Sequence, residues 1–313
     1  MLLTTFSDTL AHALHTRLRR LLGSEPRLAE RIDVQAIDAV AERLHKAHLG
    51  EARIASRDDV RAAIREAGAA VGGHRFGVPF LLTEWEQVVD AWQLGSWEAY
   101  RDVARLGRKA RLPEEQRKVL WSIFERVRAA LAGRGTITQA QMFTALAGAI
   151  ARAAHKPFDH AVVDEAQDLS VAQLRFLAAL GAGRPNALFF AGDLGQRIFQ
   201  QPFSWKTLGV DIRGRSRTLR VNYRTSHQIR SQADRLLGPT LADLDGNEED
   251  RRHTVSVFNG PSPTIDIARD EEAEAKACGF RRKSATDSDL KSATDSDAKP
   301  ATRSGAIRPP IPI

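Results

Sequence analysis

The sequence predicts an α/β protein built on a parallel sheet, with a helical block set into it. Three observations point there. From residue 158 onward, short apolar runs alternate with helix-forming stretches, the pattern of a parallel sheet covered by crossover helices. Leu2-Leu3-Thr4-Thr5-Phe6 reads as a buried strand, followed by Ser7-Asp8-Thr9, which offers N-cap chemistry for a helix. Residues 25–155 carry helical spacing instead: in RKVLWSIFERVRAAL, Val119, Leu120, Ile123, Phe124, Val127 and Leu131 fall on one face.

The helical block breaks at the Gly-rich AGAAVGGHRFG of residues 67–77 and at Leu112-Pro113. Beyond it, Ala161-Val162-Val163 is expected to be a strand, and Ser170 to cap a helix carrying Leu174, Leu177 and Leu180. Ala187–Ala191 is the next strand and Thr218–Val221 a third, after which Thr225 and Gln228 form a capping-box pattern for a helix through Leu237. A strand at Thr254–Phe258 and a Glu/Ala-rich helix near 270–278 follow. KSATDSDL at 283–290 is then repeated as KSATDSDA at 291–298, and residues this small and charged bury too little apolar surface to order, so 281–313 reads as a disordered tail.

Composition narrows the class. Of 313 residues, 42% are hydrophobic, enough for a real core. No apolar run approaches the ~18 residues of a membrane helix, and the N-terminus lacks the order of a signal peptide, so the expected location is cytoplasmic with no membrane partner. A lone cysteine, Cys278, excludes an intrachain disulfide. The net charge of +7 favours a polyanionic partner, although a basic surface of no special purpose gives the same number. His12 with His15 and His45 with His48 have helical spacing that would suit a metal, but no acidic or cysteine partners stand at ligand spacing. The Trp residues at 85, 92, 97 and 121 read as core or domain-contact residues.

Three strand ends carry the chemistry. Asp164 and Glu165 follow Val162-Val163, and ligands of open parallel sheets bind at the C-terminal strand edge. Asp164 would orient a magnesium ion and Glu165 would accept the proton of an attacking water. The next strand ends in Gly192-Asp193-Leu194-Gly195-Gln196, presenting an amide that donates and accepts. The third ends in Asn222-Tyr223-Arg224, an aromatic face beside a guanidinium. Taken singly, an Asp-Glu pair after a strand is more often a solvated helix start, and a Tyr-Arg pair is usually surface.

Together, VVDEAQD (162–168), GDLGQRIF (192–199) and LRVNYRT (219–225) resemble motifs II, III and IV of superfamily 1 DNA helicases of the UvrD/Rep type, and LLTTFSDTLAHAL (2–14) resembles motif Ia. The resemblance implies a RecA-like P-loop NTPase sheet with an inserted helical subdomain. Residues 1–24 would begin domain 1A, 25–155 would be subdomain 1B, 156–250 the remainder of 1A, and 251–280 the start of domain 2A. It also implies ATP and magnesium as cofactors, single-stranded and duplex DNA as partners, and translocation in the 3′ to 5′ direction. By family role, Gln196 senses the terminal phosphate, Arg224 is the arginine finger, Tyr223 stacks on adenine and Phe6 on a DNA base. After motif III the family usually has a Tyr and a DNA-stacking Trp; Phe199 and Gln201 stand there instead, which passes the stacking role to Phe203 or Trp205. Arg213, Arg215, Arg217 and Arg220 form a basic stripe that reads as a phosphate track or as a solvated strand face.

No G-x-x-x-x-G-K-[ST] occurs in the chain, and the nearest glycine cluster, Gly181-Ala182-Gly183-Arg184, lacks the Lys and the Ser/Thr. Motifs V and VI are also missing. The expectation is therefore a truncated helicase that hydrolyses ATP poorly, with an apolar gap where the first strand and its P-loop would lie. The alternatives are a non-catalytic DNA-binding or interaction module derived from such a motor, and a nonfunctional frameshifted product.

Overall fold

The computed structural model describes residues 1–105, 112–196, 202–236, 240–250 and 253–277. Strand β1 (Leu2–Thr5) is followed by helix α1 (Asp8–Leu21), which starts where the Ser7 hydroxyl accepts the Leu10 amide in an N-cap. A short helix α2 (Pro26–Ala29), begun by proline, turns the chain back. Strand β2 (Asp33–Ala36) then runs parallel to β1, with Leu2 opposite Asp33 and Thr5 opposite Ala36. Helix α3 (Ile37–Leu49) buries Ile37, Val40, Ala41 and Leu44, a single stripe at helical spacing.

The chain next leaves the sheet. Strand β3 (Arg53–Ile54) leads into α4 (Arg57–Ala70), opened by a capping box in which Ser56 and Asp59 satisfy each other's amides. Helices α5 (Val78–Glu84), α6 (Trp97–Asp102) and α7 (Glu114–Gly133) follow, α5 running into one π-helical turn at Trp85–Val89. Ile64, Leu81, Trp85, Tyr100, Leu120 and Phe124 form the centre of this lobe. Strand β4 (Thr136–Ile137) pairs parallel with β3 and closes its base.

Helix α8 (Gln139–Arg152) returns to the sheet and packs Met142, Phe143, Leu146 and Ile150 into the same core as α3. The expected helical block 25–155 thus divides between two cores. Helices α4 to α7 form the lobe, whereas β2, which pairs with β1, and α3 and α8, which pack into the sheet core, belong with the sheet.

The junction is tied at Asp90. Its carboxylate accepts the Thr138 hydroxyl (2.6 Å) and the Gln93 side-chain amide (2.7 Å), and the protein packed around it pushes its carboxyl above the usual carboxylate range. Between 3.8 and the raised folded value, the folded chain holds a proton that the unfolded chain has lost. Stability from this group is therefore full below about 3.8 and falls as pH rises through the folded value. Asp90→Asn keeps an oxygen for Thr138 and Gln93 and removes the charge. Its melting temperature is expected to exceed the parent's at about pH 7.5 and to match it near about pH 3; a lower value at about pH 7.5 would show instead that the charge is stabilising.

Strand β5 (Ala161–Val163) pairs with β1 on one side and β6 (Leu188–Phe190) on the other, giving an all-parallel sheet in the order β2-β1-β5-β6. Between them α9 (Val171–Gly181), capped by Ser170 and Gln173, buries Leu174, Leu177 and Leu180 as expected, together with Phe176 against Phe143. Helix α1 lies against β1 and β2. No gap opens between strands: β1 and β5 pair directly, and the exposed apolar surface lies at the β6 edge, where Phe189 is 63% exposed.

The remaining elements are smaller. Strand β7 covers only Val221–Asn222 rather than Thr218–Val221, and Leu219 is almost fully exposed, so it has no core to hold it in a strand. Helix α10 (His227–Asp234) is capped by Ser226, not Thr225. The expected box fails because the Asn222 side chain takes the Thr225 amide, and the Gln228 side chain accepts from Gly260. Strands β8 (Thr240–Ala242) and β9 (Glu248–Asp250) form a hairpin, β10 (Val255–Ser256) pairs parallel with β7 apart from the main sheet, and α11 spans Glu271–Ala277. The tandem repeat lies outside the described residues, and no helix among those described is long and apolar enough to cross a membrane.

Candidate functional site

The C-terminal edge of β5 turns sharply. The Asp164 amide still donates to Thr4 of β1 (2.9 Å), Glu165 adopts the left-handed region (φ 53°, ψ 41°), and the Ala166 amide donates to Ala191 beyond β6 (2.9 Å). A non-glycine residue in that region carries strain, which neighbouring strands must hold. The turn is therefore stapled on both sides, with the two carboxyl-bearing residues between the staples.

Gln167, nearly buried, joins this turn to the next. Its amide nitrogen donates to the Glu165 carboxylate (2.6 Å), and its oxygen accepts the Asp193 amide (3.1 Å). Asp193 in turn accepts the Gly195 amide (2.8 Å) and the Gln196 side-chain amide (3.0 Å). A continuous run Glu165–Gln167–Asp193–Gln196 results. Gly192 is required beside it: a Cβ there would stand 2.6 Å from the Gln167 oxygen and 3.1 Å from the Ala166 amide. Burial pushes the Asp168 carboxyl upward, with the Glu165 charge adding to the effect, and one Asp168 oxygen is buried without a hydrogen-bond partner.

A cleft of about 790 Å3 lies nearby. Its walls include Leu10 and Arg17 of α1, Asp193 after β6, Leu219, Asn222, Tyr223 and Arg224 around β7, and Glu249 of β9. The Asn222 side chain accepts the amides of Arg224 (2.8 Å) and Thr225 (3.1 Å), a local turn that presents Tyr223, 75% exposed, and Arg224 outward. The structure thus brings Asp193, Tyr223 and Arg224 together. Asp164 and Glu165 are half-buried at the strand edge, and Gln196 is exposed.

The stacking candidates separate. Phe6, at the tip of β1, is exposed. Phe203 is corrected: it is 4% exposed, meets Trp92 edge to face and sits in the sheet core, so neither ring face is open to a base. Trp205 is half-buried, edge-on to Phe190 at 4.9 Å, and its amide is held by the Asp245 carboxylate (2.7 Å). Phe199 and Gln201 lie outside the described residues. In the basic stripe, Arg213 is paired with Asp211 and Arg215 with Asn186, while Arg217 and Arg220 are exposed.

The donor set suits magnesium in part. Magnesium commonly takes one or two carboxylates and completes its shell with phosphates and water, which Asp164 could serve. No group of three or more His, Cys, Asp or Glu is arranged as a metal cage among the described residues.

Residues 112–204 match the family model of the UvrD/REP helicase N-terminal domain. Over these residues the chain is similar to the UvrD/Rep helicase type. The matched span runs from the start of α7 through β5, α9 and β6, and contains Asp164, Glu165, Gln167, Asp193 and Gln196. Tyr223, Arg224 and all of α1 lie outside the UvrD/Rep match. No curated protein matches the chain. Two residues escaped the sequence reading. Gln167 stands within VVDEAQD and was visible there as a polar residue beside the acidic pair, whereas nothing in the α1 sequence marks Arg17, whose place depends on how that helix crosses the sheet.

Proposed function

We propose that the chain works in an ATP-dependent DNA helicase of the UvrD/Rep type, contributing the hydrolytic edge of the nucleotide site and a single-strand contact. The observation that carries this reading is the run Glu165–Gln167–Asp193–Gln196, which sets an acidic pair and an amide on adjacent strand ends. In it Asp164 holds magnesium, Glu165 takes the proton of the attacking water and Gln196 reads the terminal phosphate. Tyr223 stacks on adenine, and Arg224 places a guanidinium on phosphate oxygens. Bound magnesium supplies charge neutralisation on those phosphates. Phe6 offers a ring face to a base, which suits a motor because every base has a π-face.

A second reading, a DNA-binding module without catalysis, is favoured by one observation: no phosphate-cradling G-x-x-x-x-G-K-[ST] exists in the sequence. Anisotropy of a labelled oligo-dT, titrated with the full chain with and without magnesium-ATP, separates them. The helicase reading expects DNA affinity to change with nucleotide; indifference favours the module. In either case Phe6→Ala is expected to weaken oligo-dT binding about 10-fold, the scale of one lost base stack. Unchanged affinity removes Phe6 from the DNA contact.

A further inference from the structure

We infer that Arg17 of α1 is a phosphate-binding residue of the cleft, acting with Arg224 on the polyphosphate of a nucleoside triphosphate or diphosphate. This rests on the nucleotide reading of the cleft above. Arg17 and Arg224 come from elements more than 200 residues apart in sequence, yet both line the same cavity of about 790 Å3. Among the described residues neither guanidinium has a hydrogen-bonding or ionic partner. The acidic groups that share the cleft are committed elsewhere: Asp193 accepts Gly195 and Gln196, and Glu249 has a partner of its own.

Two guanidiniums lining one cleft offer forked donors that a ligand carrying two or more negative charges can accept. Tyr223 beside them adds a ring face. The ligand chemistry is therefore an aromatic base joined to consecutive phosphates. A free nucleoside polyphosphate and a nucleic-acid strand both carry it; the free nucleotide is the one proposed, because the lining includes Asp193, which belongs to the run that starts at the Glu165 carboxylate. In a chain without a glycine-rich loop of backbone amides, Arg17 supplies positive charge that such a loop and its lysine would otherwise provide.

The test is calorimetric titration of the full chain and of R17A, R17K, R224A and R19A with ATP, tripolyphosphate, adenosine and oligo-dT. Arg19 is exposed on the same helix and does not line the cleft, so it controls for net charge. R17A is expected to bind ATP and tripolyphosphate about 10-fold more weakly or worse, the scale of one charge-assisted hydrogen bond, with R17K partly restoring them. Adenosine binding and the behaviour of R19A should stay at the parent level. ATP affinity equal in R17A and the parent, with R224A impaired, overturns the role of Arg17 and leaves the nucleotide reading standing. Loss of oligo-dT binding alone in R17A assigns the residue to a nucleic-acid strand and also overturns it. A parent chain that binds neither ATP nor tripolyphosphate defeats the nucleotide reading itself. Matching circular dichroism spectra and melting curves show that each variant is folded.

Discussion

Glu84→Ala is expected to destabilise the folded chain by about 3–5 kcal/mol, the cost of removing one member of a buried ion pair. Glu84 is fully buried in the helical lobe and accepts the Tyr100 hydroxyl at 3.0 Å and the Arg105 guanidinium at 2.8 and 2.7 Å. The Arg105 side chain is only 5% exposed, so water cannot replace the carboxylate. Tyr100 is fully buried, and burial with the Glu84 charge beside it pushes its hydroxyl pKa upward, keeping it a donor. Truncation would take the carboxylate away from both the guanidinium and the hydroxyl in the lobe core. Urea titration followed by tryptophan fluorescence measures the loss, since Trp85 and Trp121 sit in that core. Arg57→Ala, which breaks the exposed Arg57–Glu86 pair, is the contrast and should leave the midpoint unmoved. A loss under about 1 kcal/mol for Glu84→Ala would show that the network contributes little.

The parts of the molecule that the sequence disclosed are those whose cause is local. Ser7 and Ser170 sit one residue before apolar-periodic stretches, and each caps the helix expected of it. Val162-Val163 and Leu188–Phe190 are strands because short β-branched or aromatic runs fit a pleated interior. The hidden parts depend on partners far along the chain. Asp33-Val34-Gln35-Ala36 has no strand pattern of its own and is a strand because β1 pairs with it. Phe203 looks available in sequence, but Trp92, from the lobe, closes over it. The acidic pair was legible as chemistry, yet its link to the amide of Gln196 runs through Gln167, and that link follows from the spacing of β5 and β6 rather than from the motif.

That link bears on catalysis. Turnover of ATP by this chain, with or without single-stranded DNA, is expected to stay below about 0.01 s⁻¹, against the ~1–10³ s⁻¹ of ordinary enzymes. Phosphoryl transfer depends on positioning and on charge placed where the transition state needs it. In the function proposed above, Asp164 and Glu165 at the strand edge, Gln196 held by Asp193, and Arg224 in the cleft would address the metal, the water, the terminal phosphate and the developing charge. What the sequence does not contain is the glycine-rich loop whose consecutive amides and lysine fix the β- and γ-phosphates. Losing one preorganised donor costs about 10²–10³ in rate where it has been measured in other enzymes, and here a whole row is missing. Arg17 and Arg224 can attract the phosphates, but two flexible side chains do not fix the in-line geometry that a backbone loop does. Phosphate release measured with and without oligo-dT, on the parent chain and on Glu165→Gln, decides the matter. Both are expected at background; a parent turnover near about 1 s⁻¹ that Glu165→Gln abolishes would mean that the side chains alone organise the reaction.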